Sequence, residues 1–236
     1  MGTPSIRRVG ACYIYGSVHV EIPRADLLEK LVGRVSYVLL EGVRSSGLWR
    51  LVRRYPSLAP GILLLGFYRW LTGLYARLEG WRRGVEFAGD MEYVAALFRR
   101  RDPQVRVEVV DASLEELVEV GRGVFLRLTA LAMVIKVAFP LLLIYLILRM
   151  TQPNVLLGVI IIGICAFVVG TVLALASVKA FYYQLSPIRD RKLIDRVVEL
   201  VSGGHGVLIV RGKMHVEYIV EELRKQDVAC EILNPK

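Results

Sequence analysis

The sequence predicts an α/β fold, a central β-sheet flanked by helices, interrupted by a two-helix transmembrane hairpin. Three observations carry this. Short apolar runs of strand length alternate with helical periodicity on both sides of residues 123–184. Two apolar stretches, 128–148 and 155–178, contain 21 and 24 residues, against about 20 needed to cross a hydrocarbon core as helix. A unit reading strand, Gly-x-x-His, Val-Glu, helix occurs near the beginning, as CYIYGSVHVE, and again near the end, as LIVRGKMHVE.

The first soluble part, 1–122, opens with a strand over Ala11–Tyr15 that runs into Gly16-Ser17-Val18-His19. Pro23 starts a helix reaching about Leu31, with Asp26 and Glu29 in its early turns. Val35–Leu40 is a second strand, ending at Glu41-Gly42. Glu86–Arg100 has helical period, and Val105–Val110 is a strand ending at Asp111. Ser113 and Glu116 have the spacing of a capping box for a short helix.

Within this part, residues 44–83 form a basic stretch with Arg44, Arg50, Arg53, Arg54, Arg69, Arg77, Arg82 and Arg83 against Glu79 alone. Leu, Trp and Tyr lie between the charges, which suits a helix lying on anionic lipid; packing over the neighbouring domain is the competing reading.

Residues 121–184 hold five basic residues and no acid, as the hairpin requires. Lys136 lies within the first span, near enough to its end to extend its ammonium to the headgroups, and Pro140 predicts a local kink. With no paired intramembrane acid and only two spans, a transporter is disfavoured. A hairpin returns the chain to the side it left. Arg122, Arg127, Lys179, Arg189, Arg191 and Lys192 flank that side, whereas the RMTQPN loop carries one positive charge. The positive-inside rule therefore predicts a cell-membrane protein with its soluble domain and both termini cytoplasmic. The opening residues lack a signal-peptide pattern.

The second soluble part, 185–236, has a helix over Pro187–Val201, a turn at Gly203-Gly204-His205-Gly206, and a strand over Val207–Arg211. Gly212-Lys213-Met214-His215 leads into a helix to about Lys225, and Asp227–Leu233 is a closing strand. Each repeated histidine falls just beyond the carboxyl end of a strand, the edge where sites gather in open α/β sheets.

These placements explain the composition. The 55% apolar content and mean hydropathy of +0.49 come chiefly from the hairpin and the basic amphipathic stretch. The +9 net charge is concentrated at the membrane segment, which argues against nucleic acid as a partner. Cys12, Cys165 and Cys230 are odd in number and lack metal-ligand spacing, so reduced thiols are expected.

Two of the three histidines, His19 and His215, occupy the repeated turns. Imidazole can ligate a divalent metal or transfer protons near neutral pH. Gly16 and Gly212, three residues earlier, let the backbone turn close to a ligand. Glu41, at a strand end, is a candidate metal ligand or base, and Glu21 and Glu217 follow the two histidines. Histidines that merely satisfy turn backbones are the alternative.

The ordered set GSVH (16–19), Glu41 in VLLEG, Gly84-Val85-Glu86 followed by Phe87, Arg189-Asp190 before a helix, and GKMH (212–215) resembles the TraB/PrgY family, within the TIKI and erythromycin-esterase-like group with two Gly-x-x-His motifs. The resemblance implies a TIKI/TraB-like sheet and a membrane-anchored, metal-dependent hydrolase, a peptidase acting on peptides or membrane-protein segments. On that resemblance His19, His215 and Glu41 would hold a divalent ion such as Mn, Co or Zn, and Glu41 and Glu86 would serve catalysis. Arg189 would bind a substrate carboxylate or oxyanion, while Asp190 and Asp111 would orient neighbouring groups. The alternative is a non-catalytic membrane-bound sensor or scaffold that binds a peptide, haem or protein partner, and a homo-oligomer is compatible with either. Two departures stand out: family members often carry Asp-Arg where this chain has Asp111-Ala112, and here the hairpin interrupts the soluble unit instead of following it.

Overall fold

A computed structural model describes residues 10–18, 21–42, 47–84, 89–134 and 183–234, with single positions at 144, 145, 164, 172, 176, 178 and 180. The expected spans at 128–148 and 155–178, with Lys136 and Pro140, fall largely outside these residues. Among the described residues no helix is long and apolar enough to cross a membrane.

The chain divides into two compact units. The first, built from 1–44, 71–113 and 186–236, contains a five-stranded sheet. Its strands are β1 (Cys12–Ser17), β2 (Tyr37–Leu40), β3 (Arg106–Val109), β4 (Val207–Gly212) and β5 (Cys230–Ile232). They lie in the order β3-β2-β4-β1-β5, every pair parallel. All five overlap the runs read as strands. The fold is α/β, with helices on both faces of the sheet.

Parallel strands covered on both faces become nearly continuous apolar runs. All six residues of β4 are buried. Alternation then sorts side chains to two cores. On one face Ile14, Leu39, Val207 and Ile209 pack against Leu193, Val197 and Val201 of α7 (Ser186–Ser202) and Ile219 and Leu223 of α8 (Val216–Arg224). On the other, Tyr15, Val38, Leu40, Leu208 and Val210 meet Leu28 of α1 (Ala25–Glu29) and Val94 and Phe98 of α4 (Asp90–Arg101). The helix expected from Glu86 begins at Asp90; residues 85–88 are outside the described set.

The second unit comprises 45–70 and 114–185. Its described elements are helical: α2 (Leu48–Arg54), a 3-10 turn at Pro56–Leu58, the first half of α3 (Ala59–Arg82), α5 (Leu114–Val120) and α6 (Arg122–Met133). Gly61 sits where α3 meets α6: its amide donates to Thr129 Oγ1 at 3.3 Å, and a Cβ there would stand 2.8 Å from that oxygen. The basic stretch 44–83 is therefore α2 and α3, and α5 starts just after Ser113, where the capping box was expected.

One expectation is corrected outright. Cys12 and Cys230 are joined in a disulfide, not held as thiols. They face each other across the β1–β5 pair, in register, with Cα atoms 4.5 Å apart. The odd cysteine count misled because Cys165 stands outside the pairing and β1–β5 adjacency is invisible locally.

Strand β5 is only three residues long, and Asn234 lengthens it by side-chain mimicry. Its amide nitrogen donates to the Gly16 carbonyl at 2.6 Å and its amide oxygen accepts from the Gly16 N–H at 2.8 Å. Asn234→Ala removes both bonds, at a cost of about 1–2 kcal/mol. Amide hydrogen exchange at Gly16 and Ser17 is expected to quicken, with exchange at Ile209 unchanged.

Candidate functional site

Parallel strands bring their carboxyl ends to one edge, and in the first unit that edge gathers the charged residues singled out above. Glu41 follows β2, Asp111 follows β3, Arg211 and Gly212 end β4, and Arg189 and Asp190 lie in the first turn of α7. Each arrives there because its strand or helix is fixed by the two cores.

The side chains form one buried ionic cluster. Arg189 donates through Nη2 to Glu41 Oε1 at 2.7 Å and through Nε to Asp111 Oδ1 at 2.8 Å, and a further short bond joins Nη2 to Asp111 Oδ2. Arg211 donates through Nη2 and Nε to Asp190 Oδ1 at 2.6 and 3.1 Å, and through Nη1 to Asp111 Oδ2 at 3.3 Å. Its Nε also lies 3.7 Å from Glu41 Oε2. Backbone amides complete the carboxylates: Gly212 donates to Glu41 Oε2 at 2.9 Å, and Ala112 to Asp111 Oδ1 at 2.7 Å. The Arg211 side chain is 0% exposed, so a charge inside the sheet is tolerated only because carboxylates surround it.

Burial works to lower the Arg189 pKa, but the hydrogen bond it donates to Asp111 and the charges of Glu41 and Asp111 outweigh it and hold the guanidinium above its ordinary value. The group stays protonated at any working pH. Three carboxylates share two guanidiniums, so among these five groups negative charge exceeds positive by one.

His215 sits at the outer end of this cluster. Its Nδ1 is 3.0 Å from Asp190 Oδ2, and its side chain is 16% exposed. Asp190 also pairs with Arg211, and Nε2 lies on the far side of the imidazole ring from this contact. A shallow groove of about 420 Å³ passes Asp111, lined also by Lys192, Asp195, Arg196 and Glu199.

The motif residues are thus brought together in large part: Glu41, Asp111, Arg189, Asp190, Gly212 and His215 are joined by direct bonds. Gly16 is at the same edge, in register with Arg211. Glu21 is exposed, and Glu217 is exposed in the first turn of α8. His19 and Glu86 lie outside the described residues. Arg211 was not singled out from the sequence, although an arginine closing the apolar run VLIVRG was a signal in itself, since a charge in a fully buried strand needs a buried partner.

Among the described residues no group of three His, Cys, Asp or Glu side chains could hold a metal ion. The chemistry of the donors gives the reason. Glu41, Asp111 and Asp190 already face guanidiniums, whose positive charge opposes a divalent cation at the same oxygens. The described donor set does not fit a metal, and no step is derived through one.

No family model, no curated protein and no solved structure matches this chain.

Proposed function

We propose that the protein is a membrane-anchored, TraB-like hydrolase of peptides or membrane-protein segments, with His215 as its general base. The observation that carries this reading is the His215–Asp190–Arg211 chain at the carboxyl edge of the sheet. Nε2 would take a proton from water as the oxygen attacks a carbonyl carbon, and would return it to the leaving group. Asp190 would fix the tautomer and stabilise the imidazolium formed in between, while Arg211 holds Asp190 in place. Arg189 is 5% exposed and engaged with Glu41 and Asp111, so its part is to position those acids, not to bind substrate.

The two apolar stretches supply the anchor in this reading, with the soluble parts at the cytoplasmic face. The Cys12–Cys230 disulfide argues against that placement, because such bonds persist mainly in oxidising compartments, so protease accessibility decides the orientation. Protease added outside intact cells should leave the soluble parts whole; their digestion would reverse the orientation.

The reaction is tested with full-length protein in detergent micelles and a defined mixture of synthetic peptides, cleavage being read by mass spectrometry. His215→Gln should slow cleavage by at least about 100-fold, with an unchanged melting temperature. Equal cleavage by wild type and variant would remove His215 from the chemistry. A wild type that cleaves nothing would favour the second reading, a non-catalytic sensor or scaffold. One observation speaks for that reading: the buried charges satisfy one another, as a purely structural network would.

A further inference from the structure

Helix α3 buries Ile62, Leu65 and Ala76 on one side, where the exposed Arg69 also falls. On the other, Phe67, Trp70, Leu74, Leu78 and Trp81 follow one another at steps of three and four, a single stripe at 3.6 residues per turn. All five are exposed, Trp70 by 58% and Trp81 by 82%, and Phe67 stacks on Trp70 with ring centroids 5.8 Å apart. The stripe is about 21 Å long. A surface helix ordinarily buries its one apolar stripe and turns charge outward. Here the outward side is apolar and flanked by Arg77 along one edge and by Tyr75 and Arg82, the latter paired with Glu79, along the other, all three exposed.

We infer that this outer side of α3 lies in the headgroup region of an anionic bilayer, its long axis in the membrane plane. Tryptophan and tyrosine favour that boundary because their rings are apolar and their N–H and O–H groups are wet. Leu74 and Leu78 between them reach the acyl chains, and the flanking arginines meet phosphate. Nucleic acid fits the arginines but gives the leucines no role. The inference uses only the surface of one unbroken helix. It rests on the membrane-anchored reading for the nearness of a bilayer and adds the leaflet chemistry that the protein recognises.

The experiment uses full-length protein carrying Trp49→Phe, so that emission comes from Trp70 and Trp81. It is placed in nanodiscs of phosphatidylcholine alone or with one quarter phosphatidylglycerol, with and without lipid brominated near the headgroup. Bromolipid is expected to quench the emission by more than half in the anionic discs. Charge reversal at Arg77 and Arg82 should reduce that quenching. Protein that co-elutes with the discs but shows no quenching overturns the inference while leaving the anchor intact. Protein that stays out of the discs counts against the anchor instead, and flotation with anionic vesicles then decides the helix: floating sustains the inference, sedimenting ends it. Self-association through Trp81, detected as crosslinks between copies without quenching, would also overturn it.

Discussion

Arg211→Met is expected to destabilise the protein by about 3–5 kcal/mol, the cost of leaving buried carboxylates without their counter-charge. The side chain is fully buried, so solvent screening offers little relief. Asp190 would lose both guanidinium bonds, and Asp111 would lose one of two arginine partners. A domain is stable by only about 5–15 kcal/mol, so the loss is a large fraction of the whole. Urea unfolding of the detergent-solubilised protein reads it as a shift of the midpoint. Arg211→Lys should fare little better, because an ammonium cannot reproduce a fork that reaches Asp190 through two nitrogens and Asp111 through a third. Replacing Arg211 and Asp190 together, by Met and Leu, should recover part of the loss, since a buried pair contributes less than either half costs when stranded. A midpoint unmoved in Arg211→Met would show that water reaches the cluster.

Opening the Cys12–Cys230 bond is the second large effect. The bond closes nearly the entire chain into one loop, its ends 218 positions apart in sequence. Loop closure restricts the unfolded chain more as the loop grows, though slowly, and removal typically costs about 2–5 kcal/mol. The expected result is a lower urea midpoint in reductant than without it, and no effect of reductant on Cys12→Ala/Cys230→Ala. The native side of the effect is local. Strand β5 has three register pairs with β1, so losing the covalent link should loosen it and, through Asn234, the Gly16 backbone. An unchanged midpoint in reductant would mean that β5 packing alone holds the ends.

The sequence carried the elements further than their arrangement. Strand β4, expected over Val207–Arg211, runs Val207–Gly212, and α7, expected over Pro187–Val201, runs Ser186–Ser202. Both are strongly patterned, and Gly203 ends the helix cleanly. Boundaries slipped where periodicity was weak, as at α1, expected to reach Leu31 but ending at Glu29. Glu41, Asp111 and His215 were legible because each is a polar residue just after an apolar run, or near a glycine turn, whereas Asp190 came only from the family resemblance. What joins them was not. The bonds among Arg189, Arg211 and the three acids depend on β2, β3 and β4 being neighbours, and strand order is set by packing between distant segments. The disulfide was hidden for the same reason. Arg189 took its substrate-binding role from the family resemblance, and a motif of adjacent residues carries no sign that Glu41 and Asp111 converge on it.

The place of β4 in the sheet has a consequence for how the protein is made. Neither β1 nor β2 touches the other; each pairs with β4, which lies between them. Yet both emerge from the ribosome about 165–190 residues before it. At synthesis rates of roughly 5–20 residues per second, the gap lasts on the order of ten to thirty seconds or more. Through that interval β1 and β2 lack their shared neighbour, and Glu41 and Asp111 wait without Arg189 and Arg211. The stretch that separates them from their partners is the one read as the membrane hairpin. The β2–β4–β1 centre of the sheet, the ionic cluster and the disulfide therefore can close only late in translation, once that stretch has left the ribosome.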